Sequence, residues 1–147
     1  MPYSAIETAL ISRIATSTLY SSTFMTTGDY RVLGYGYPRA VIAKFGGLDR
    51  RDLTFRIVRD EWLVTLDLYT RYNGELDALS SDMDANRQEL IDTIAKWPAL
   101  NNSTGVYRAQ VRPMAAPEMP SAGFPHYGLQ TVVVSVVETY DPGRLEP

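Results

Sequence analysis

The chain of 147 residues contains no cysteine. Disulfide frameworks, thiolate metal sites and cysteine nucleophiles are therefore excluded together. There is a single histidine, His126. A histidine-based metal site needs companions that this chain does not have. A serine triad would have to recruit His126 as its base, and nothing favours a particular serine. Charge of one sign is scarce as well. The net charge of −3 offers no general attraction to nucleic acid or to an anionic membrane. No apolar run approaches the length of a bilayer span, since Val132–Val137 is the longest nearly apolar stretch. The start, MPYSAIETALISRIATS, lacks a basic segment followed by an apolar run and is not a secretion signal. A soluble protein, cytoplasmic at synthesis, is expected.

Catalytic motifs are lacking too. No Gly-x-Ser-x-Gly elbow occurs. The glycine-rich piece Gly34-Tyr35-Gly36-Tyr37-Pro38 is not followed by Gly-Lys-Ser/Thr or by a helical pattern, so it is not a phosphate loop. The acidic pairs Asp60-Glu61 and Glu138/Asp141 are of a kind found in any soluble domain. Asp82 and Asp84 come nearest to a hard-cation site. On a helix they point roughly 200° apart and do not converge. Only as a loop could Ser81, Asp82, Asp84 and Asn86 enclose a cation. No metal, cofactor or catalytic residue is expected.

What is present is an ordinary hydrophobic share, 45%, with 21% charged residues, in a chain of single-domain size. Such a chain buries a sizeable core without staples. Ten tyrosines stand out. Tyrosine suits protein–protein interfaces, because its ring is apolar and its tip keeps a hydrogen bond. It also suits strands, so a β-rich fold accounts for the same count.

Along the chain, Ser4 and Glu7 have capping-box spacing. Ile6, Ala9, Leu10 and Ile14, with Arg13 beside them, fall on one face of an N-terminal helix that fades near Thr16–Thr18. From Leu19 to Tyr37 the composition is Ser, Thr, Gly and Tyr, and GDYRVLGYGYPRA reads as a loop or a turn-broken ribbon. A strand over Ala40–Phe45 is expected to end at Gly46-Gly47. Leu48–Val58 reads as an extended arm or a short strand. Glu61–Tyr72 alternates Trp62, Val64, Leu66 and Leu68 with Thr65, Asp67 and Tyr69, the period of a half-buried strand, and Asn73-Gly74 makes the turn. A second helix is expected over Glu75–Trp97, with Leu76, Leu79, Met83, Leu90, Ile91, Ile94 and Trp97 as its apolar stripe. A strand Val106–Arg112 follows. Four prolines between Pro113 and Pro125 then forbid a helix or an interior strand and make a long exposed loop. The last strand, Tyr127–Tyr140, is apolar on both faces, which places it centrally or under cover on both sides. Asp141–Pro147 is a short tail. The sum is one α+β domain over residues 1–147: a mainly antiparallel sheet, two helices packed on one face, and a long Pro-rich loop.

Arginines gather at Arg50, Arg51, Arg56 and Arg59 among Asp49, Asp52, Asp60 and Glu61. Nucleic-acid contact is one reading, since Arg pairs with phosphate, but the neighbouring acids cancel the charge. Salt bridges between subunits, which set register and partner choice, are a second reading. A solvated loop is the third.

The order of a capped helix, a Gly/Tyr turn region, the strand EWLVTLDLYTRY, the acidic helix ELDALSSDMDANRQELIDTIAKWPAL, a Pro-rich excursion and the strand LQTVVVSVVETY resembles a known pattern. It resembles the tail-terminator and related neck proteins of siphophages and gene-transfer particles, over Ser4–Tyr140. The resemblance implies a mixed α/β fold that forms a homo-hexameric ring in the virion, after assembly in the host cytoplasm. Such a ring caps the tail-tube protein and meets the head-connector or neck proteins. DNA only passes through its lumen. No membrane, cofactor or catalysis is implied. Head–tail adaptor, head-closure and tail-completion proteins fit the same texture. A small α+β enzyme or ligand-binding domain, with a polar pocket around His126, is the competing class, and peptide docking on a sheet edge is a third.

A head-to-tail ring needs two unlike patches on each subunit. The candidates are the segment with Tyr30, Tyr35 and Tyr37, the arm with Arg50, Arg51, Asp52, Arg56 and Arg59, and the proline loop with Met114, Met119 and Phe124.

Overall fold

The computed structural model describes residues 3–20, 24–27, 38–96, 106–112, 116–121 and 125–143. Seven elements follow in order: α1 (Tyr3–Ile14), β1 (Phe24–Thr27), β2 (Arg39–Asp52), β3 (Val58–Arg71), α2 (Leu76–Lys96), β4 (Val106–Arg112) and β5 (Tyr127–Tyr140). The five strands form one sheet in the order β1-β2-β3-β5-β4. Four of them are antiparallel to their neighbours, and β1 alone runs parallel, beside β2. The fold is α+β, as the element pattern implies.

Alternation in β3 decides which face is buried. Val64, Leu66 and Leu68 are fully buried and lie level with Val134, Val132 and Gln130 of β5. Val41 and Ala43 of β2 and Ala109 of β4 extend the same face. Ile6, Leu10 and Ile14 of α1 and Leu90 and Ile94 of α2 close over it, and all five are fully buried. Each large apolar side chain so buried contributes about 1.5–3 kcal/mol. The opposite face carries Leu63, Thr65, Val133 and Val137, all half-buried. The Val-rich β5 lies between β3 and β4, which is why it is apolar on both faces.

Polar groups tie the helices together. The Arg13 Nε donates to the Thr93 carbonyl at 2.9 Å, joining α1 to α2. The buried Tyr20 hydroxyl donates to the Asn86 carbonyl at 2.6 Å, and burial pushes its pKa up. The Asn86 Nδ2 in turn donates to the Thr70 Oγ1 at 2.9 Å, linking α2 to β3.

Several expectations are corrected. The first strand does not end at Gly46-Gly47 but runs on to Asp52, with a bulge between Phe45 and Gly47. A Cβ on Gly46 would lie 2.8 Å from Thr65 Oγ1 and 2.9 Å from the Leu63 carbonyl oxygen, so the glycine permits a close approach to β3. Gly47 has a φ of 142°, within the range that favours glycine. The arm is therefore the second half of a long β-hairpin, and β3 begins at Val58. Phe24–Thr27 forms a strand inside the segment read as turn-rich. Ser4 lies within the first turn of α1, where its carbonyl accepts from the Thr8 Oγ1 at 2.9 Å, so it is not the N-cap. Leu76 is 57% exposed and stands off the buried stripe of α2, into which Asn86 enters instead. Trp97 lies outside the described residues.

The Asn73-Gly74 turn is present, with Gly74 at a φ of 96°. Within the Pro-rich segment, Glu118 exchanges two backbone hydrogen bonds with Leu129, at 2.8 and 2.9 Å, on the edge beside β5. Prolines suit an edge position, where amides need no ladder partner.

Candidate functional site

The far end of the β2–β3 hairpin gathers most of the arginines that the sequence points to. Strand register sets Arg50 opposite Asp60 and Leu48 opposite Trp62. Asp60 in turn faces Glu138 on β5. These side chains share the face that carries Val64 and Leu66, by the two-residue period of the strands.

Asp60 and Glu138 are each only 1% exposed. Two carboxylates directly opposite each other repel, so each needs its own compensation. The Arg50 guanidinium grips Asp60 with both arms, Nε to Oδ1 at 2.8 Å and Nη2 to Oδ2 at 3.1 Å. Bidentate geometry of this kind is the strong form of the pair. The Tyr140 hydroxyl also hydrogen-bonds Asp60. The Trp62 Nε1 donates to Glu138 at 3.0 Å. The hydrogen bond from Arg50, working against burial, holds the Asp60 carboxyl below its ordinary range. Burial, and then the bond to Asp60, raise the Tyr140 hydroxyl.

A depressed carboxyl pKa stabilises the fold at every pH above the unfolded value, about 4. That stabilisation drains away as pH falls through the lower, folded value. Asp60→Asn is thus expected to lower the urea midpoint at neutral pH and to flatten its fall between pH 5 and 2. A variant as acid-sensitive as the wild type would show that Asp60 is not the group involved.

The remaining arginines are also engaged within the chain. Arg51 pairs with Asp49 at 3.0 Å, and Arg59 with Glu61 at 3.2 Å. Glu61 is held from a second side by Arg112 of β4. Arg50, Arg51 and Arg59 thus bind the hairpin to itself and to its neighbours. Asp52 and Arg56 are exposed near the tip.

The exposed apolar groups of the hairpin, from Phe45 at mid-strand to Leu53 and Phe55 at the turn, behave differently. Phe45 is 58% exposed, Leu48 39%, Leu53 54% and Phe55 46%. Phe45 joins an aromatic trio with Tyr3 and Trp62, with ring centroids 5.0 and 6.4 Å away. Leu53 and Phe55 sit on the turn itself. That turn is braced by the Leu53 amide donating to the Ile57 carbonyl at 2.9 Å. The amides of Arg56 and Ile57 both donate to the Thr54 Oγ1, at 3.2 and 3.1 Å. Sequence reasoning does not single out Leu53 and Phe55. The signal was available as two large apolar residues, one position apart, inside the otherwise polar run Asp52–Arg56.

The other sequence-derived candidates are dispersed. Met119 is 46% exposed on the segment beside β5. Tyr30, Tyr35, Tyr37, Met114 and Phe124 lie outside the described residues. His126 is exposed at the start of β5, and its carbonyl accepts from the Tyr72 amide at 2.8 Å. Asp82 and Asp84 are on α2, where Asp84 pairs with Arg87 at 2.9 Å. No three His, Asp or Glu side chains converge as metal ligands among the described residues. No helix among them is long and apolar enough to cross a membrane.

Clefts among the described residues include the following two. A groove of about 370 Å³ runs between α2 and β4, lined by Ile91, Ile94, Ala95, Ala109 and Val111 with Arg108. A smaller, more polar cleft of about 210 Å³ lies at the opposite end of β2, lined by Arg39, Arg71, Asn73 and Asn86 among others.

No protein-family model matches the chain, and no curated protein sequence matches it.

Proposed function

We propose that this chain is a non-enzymatic structural subunit of a virion, a tail-terminator or neck protein. In this reading it forms a ring, homo-hexameric as in the family it resembles, that caps the tail tube and joins it to the head connector. One observation carries the self-assembling part: the turn of the β2–β3 hairpin presents two large, exposed apolar side chains side by side, Leu53 and Phe55. Clustered exposed apolar groups rimmed by polar residues mark interaction surfaces. Turn geometry holds Leu53 and Phe55 outward in place of letting them fold back.

The virion role itself rests on the resemblance in element order. The experiment is light scattering on the purified chain, followed by negative-stain imaging with and without tail tubes. Rings, or monomers that become rings when tubes are added, are expected. A chain that stays monomeric under both conditions refutes the reading. A head–tail adaptor or head-closure role would give rings that bind the portal side and leave tubes uncapped.

A ligand-binding domain is the second reading. The polar cleft between Arg39 and Arg71 favours it, although His126 does not line that cleft.

A further inference from the structure

We infer that the polar cleft at the end of β2 and β3 away from the hairpin turn binds a small organic carboxylate, gripped by the Arg39 guanidinium and the Thr70 hydroxyl. This rests on the second reading above, a ligand-binding chain, and gives the class of its ligand. It does not depend on ring assembly.

Strand register builds the site. Arg39 opens β2 and stands opposite Thr70, near the end of β3. Directly opposed side chains rise from one face of the sheet with their Cβ atoms about 5 Å apart. Both residues line the cleft of about 210 Å³.

Each holds a donor in reserve. The Arg39 Nη1 donates to the Leu19 carbonyl at 2.8 Å. The other edge of the guanidinium, Nε with Nη2, makes no hydrogen bond or ion pair among the described residues, and Nε is buried from water. A buried donor without an acceptor is costly. The same edge of Arg50 takes both oxygens of Asp60, Nε on one and Nη2 on the other. This fork matches a carboxylate bidentately. The Thr70 hydroxyl, on a residue 3% exposed, accepts from the Asn86 Nδ2 at 2.9 Å and still has its proton to give. Two N–H groups and one O–H thus stand beside one another on one wall of the cleft.

Charge selects among oxyanions. Arg71 and Asp82 also line the cleft and offset each other in net charge. The single positive charge of Arg39 is neutralised by one carboxylate. A phosphate dianion overshoots it and brings the excess against Asp82.

The test is a titration of the isotopically labelled chain with sodium acetate, inorganic phosphate or sodium chloride, at neutral pH and one ionic strength. The arginine Nε–H resonances are followed by NMR. Acetate is expected to shift one of them to saturation, and chloride is not. Arg39→Gln should remove that resonance and weaken acetate binding, read at the Thr70 amide, about tenfold or more. Asp82→Asn, on the exposed side of α2, should tighten it roughly two- to fivefold, the size of a surface charge term. Equal shifts with chloride overturn the site, as does acetate binding unchanged in Arg39→Gln. Should Arg39→Gln not fold, Asp82→Asn decides, and acetate binding that is unchanged or weaker there overturns it. Saturation by phosphate and not by acetate overturns the carboxylate and leaves the ligand-binding reading standing. Saturation by neither overturns both.

Discussion

Replacing both Leu53 and Phe55 by aspartate is expected to weaken self-association by roughly two to three orders of magnitude, because anchors at the centre of an interface each cost about 2 kcal/mol or more when lost. Thermal stability should barely change. Leu53 and Phe55 are 54% and 46% exposed, and substitutions at such sites stay within about 0.5 kcal/mol. Aspartate adds a second obstacle, since a charge buried in an interface without a partner is costly. The comparison variant is Leu76→Asp. Leu76 is as exposed, at 57%, but stands at the start of α2, away from the hairpin. It should associate like the wild type. Light scattering across a concentration series separates the outcomes. Equal weakening by Leu76→Asp would mean that general hydrophobicity drives association. Unchanged association of the Leu53/Phe55 variant would remove the hairpin from the interface.

The parts of the fold that were legible in the sequence are those where one face of one element decides the pattern. Trp62, Val64, Leu66 and Leu68 alternate because β3 has one face under the helices and one only partly covered. The α2 stripe through Leu79, Met83, Leu90 and Ile94 follows the helical period for the same reason. Apolar groups on both faces of β5 reported its central position. What stayed hidden depends on a partner distant in sequence. Gly46 and Gly47 look like the end of a strand. They are a bulge only because β3 is long enough to pair beyond them, and that length shows in neither segment alone.

Buried polar residues were hidden for a similar reason. Asn86 sits on the apolar stripe of α2 because Thr70, sixteen residues earlier, accepts its amide. Asp60 and Glu138 are polar residues at core-facing positions, tolerated because Arg50 and Trp62 reach them. Charge pattern alone suggested that the arginines face outward to a partner. The structure turns Arg50, Arg51 and Arg59 to carboxylates of the same chain, and leaves the neighbouring apolar pair exposed. Ion pairs here set the shape of the hairpin, and the apolar tip is its exposed part.

Core and interface are thus separate, and a second variant exposes the division. Leu66→Ala removes a fully buried side chain at the middle of β3, level with Ala43 on one side and Val132 on the other. Helices α1 and α2 close this face, so the site can collapse little. The expected cost is about 2–5 kcal/mol, against a total stability of about 5–15 kcal/mol for a domain. For a chain of this size that lowers the melting temperature by roughly 5–15 °C. Leu63→Ala, one face over and half-buried, should cost far less. Calorimetry on both variants decides, and equal losses would mean that the helices do not cover the Leu66 face. Below its own melting temperature, Leu66→Ala should still associate as the wild type does, because the hairpin tip lies beyond the helices and owes its shape to Thr54 and the Arg50–Asp60 pair. Loss of association in a folded Leu66→Ala chain would show that core and tip are coupled, and that the hairpin is not an independently braced arm.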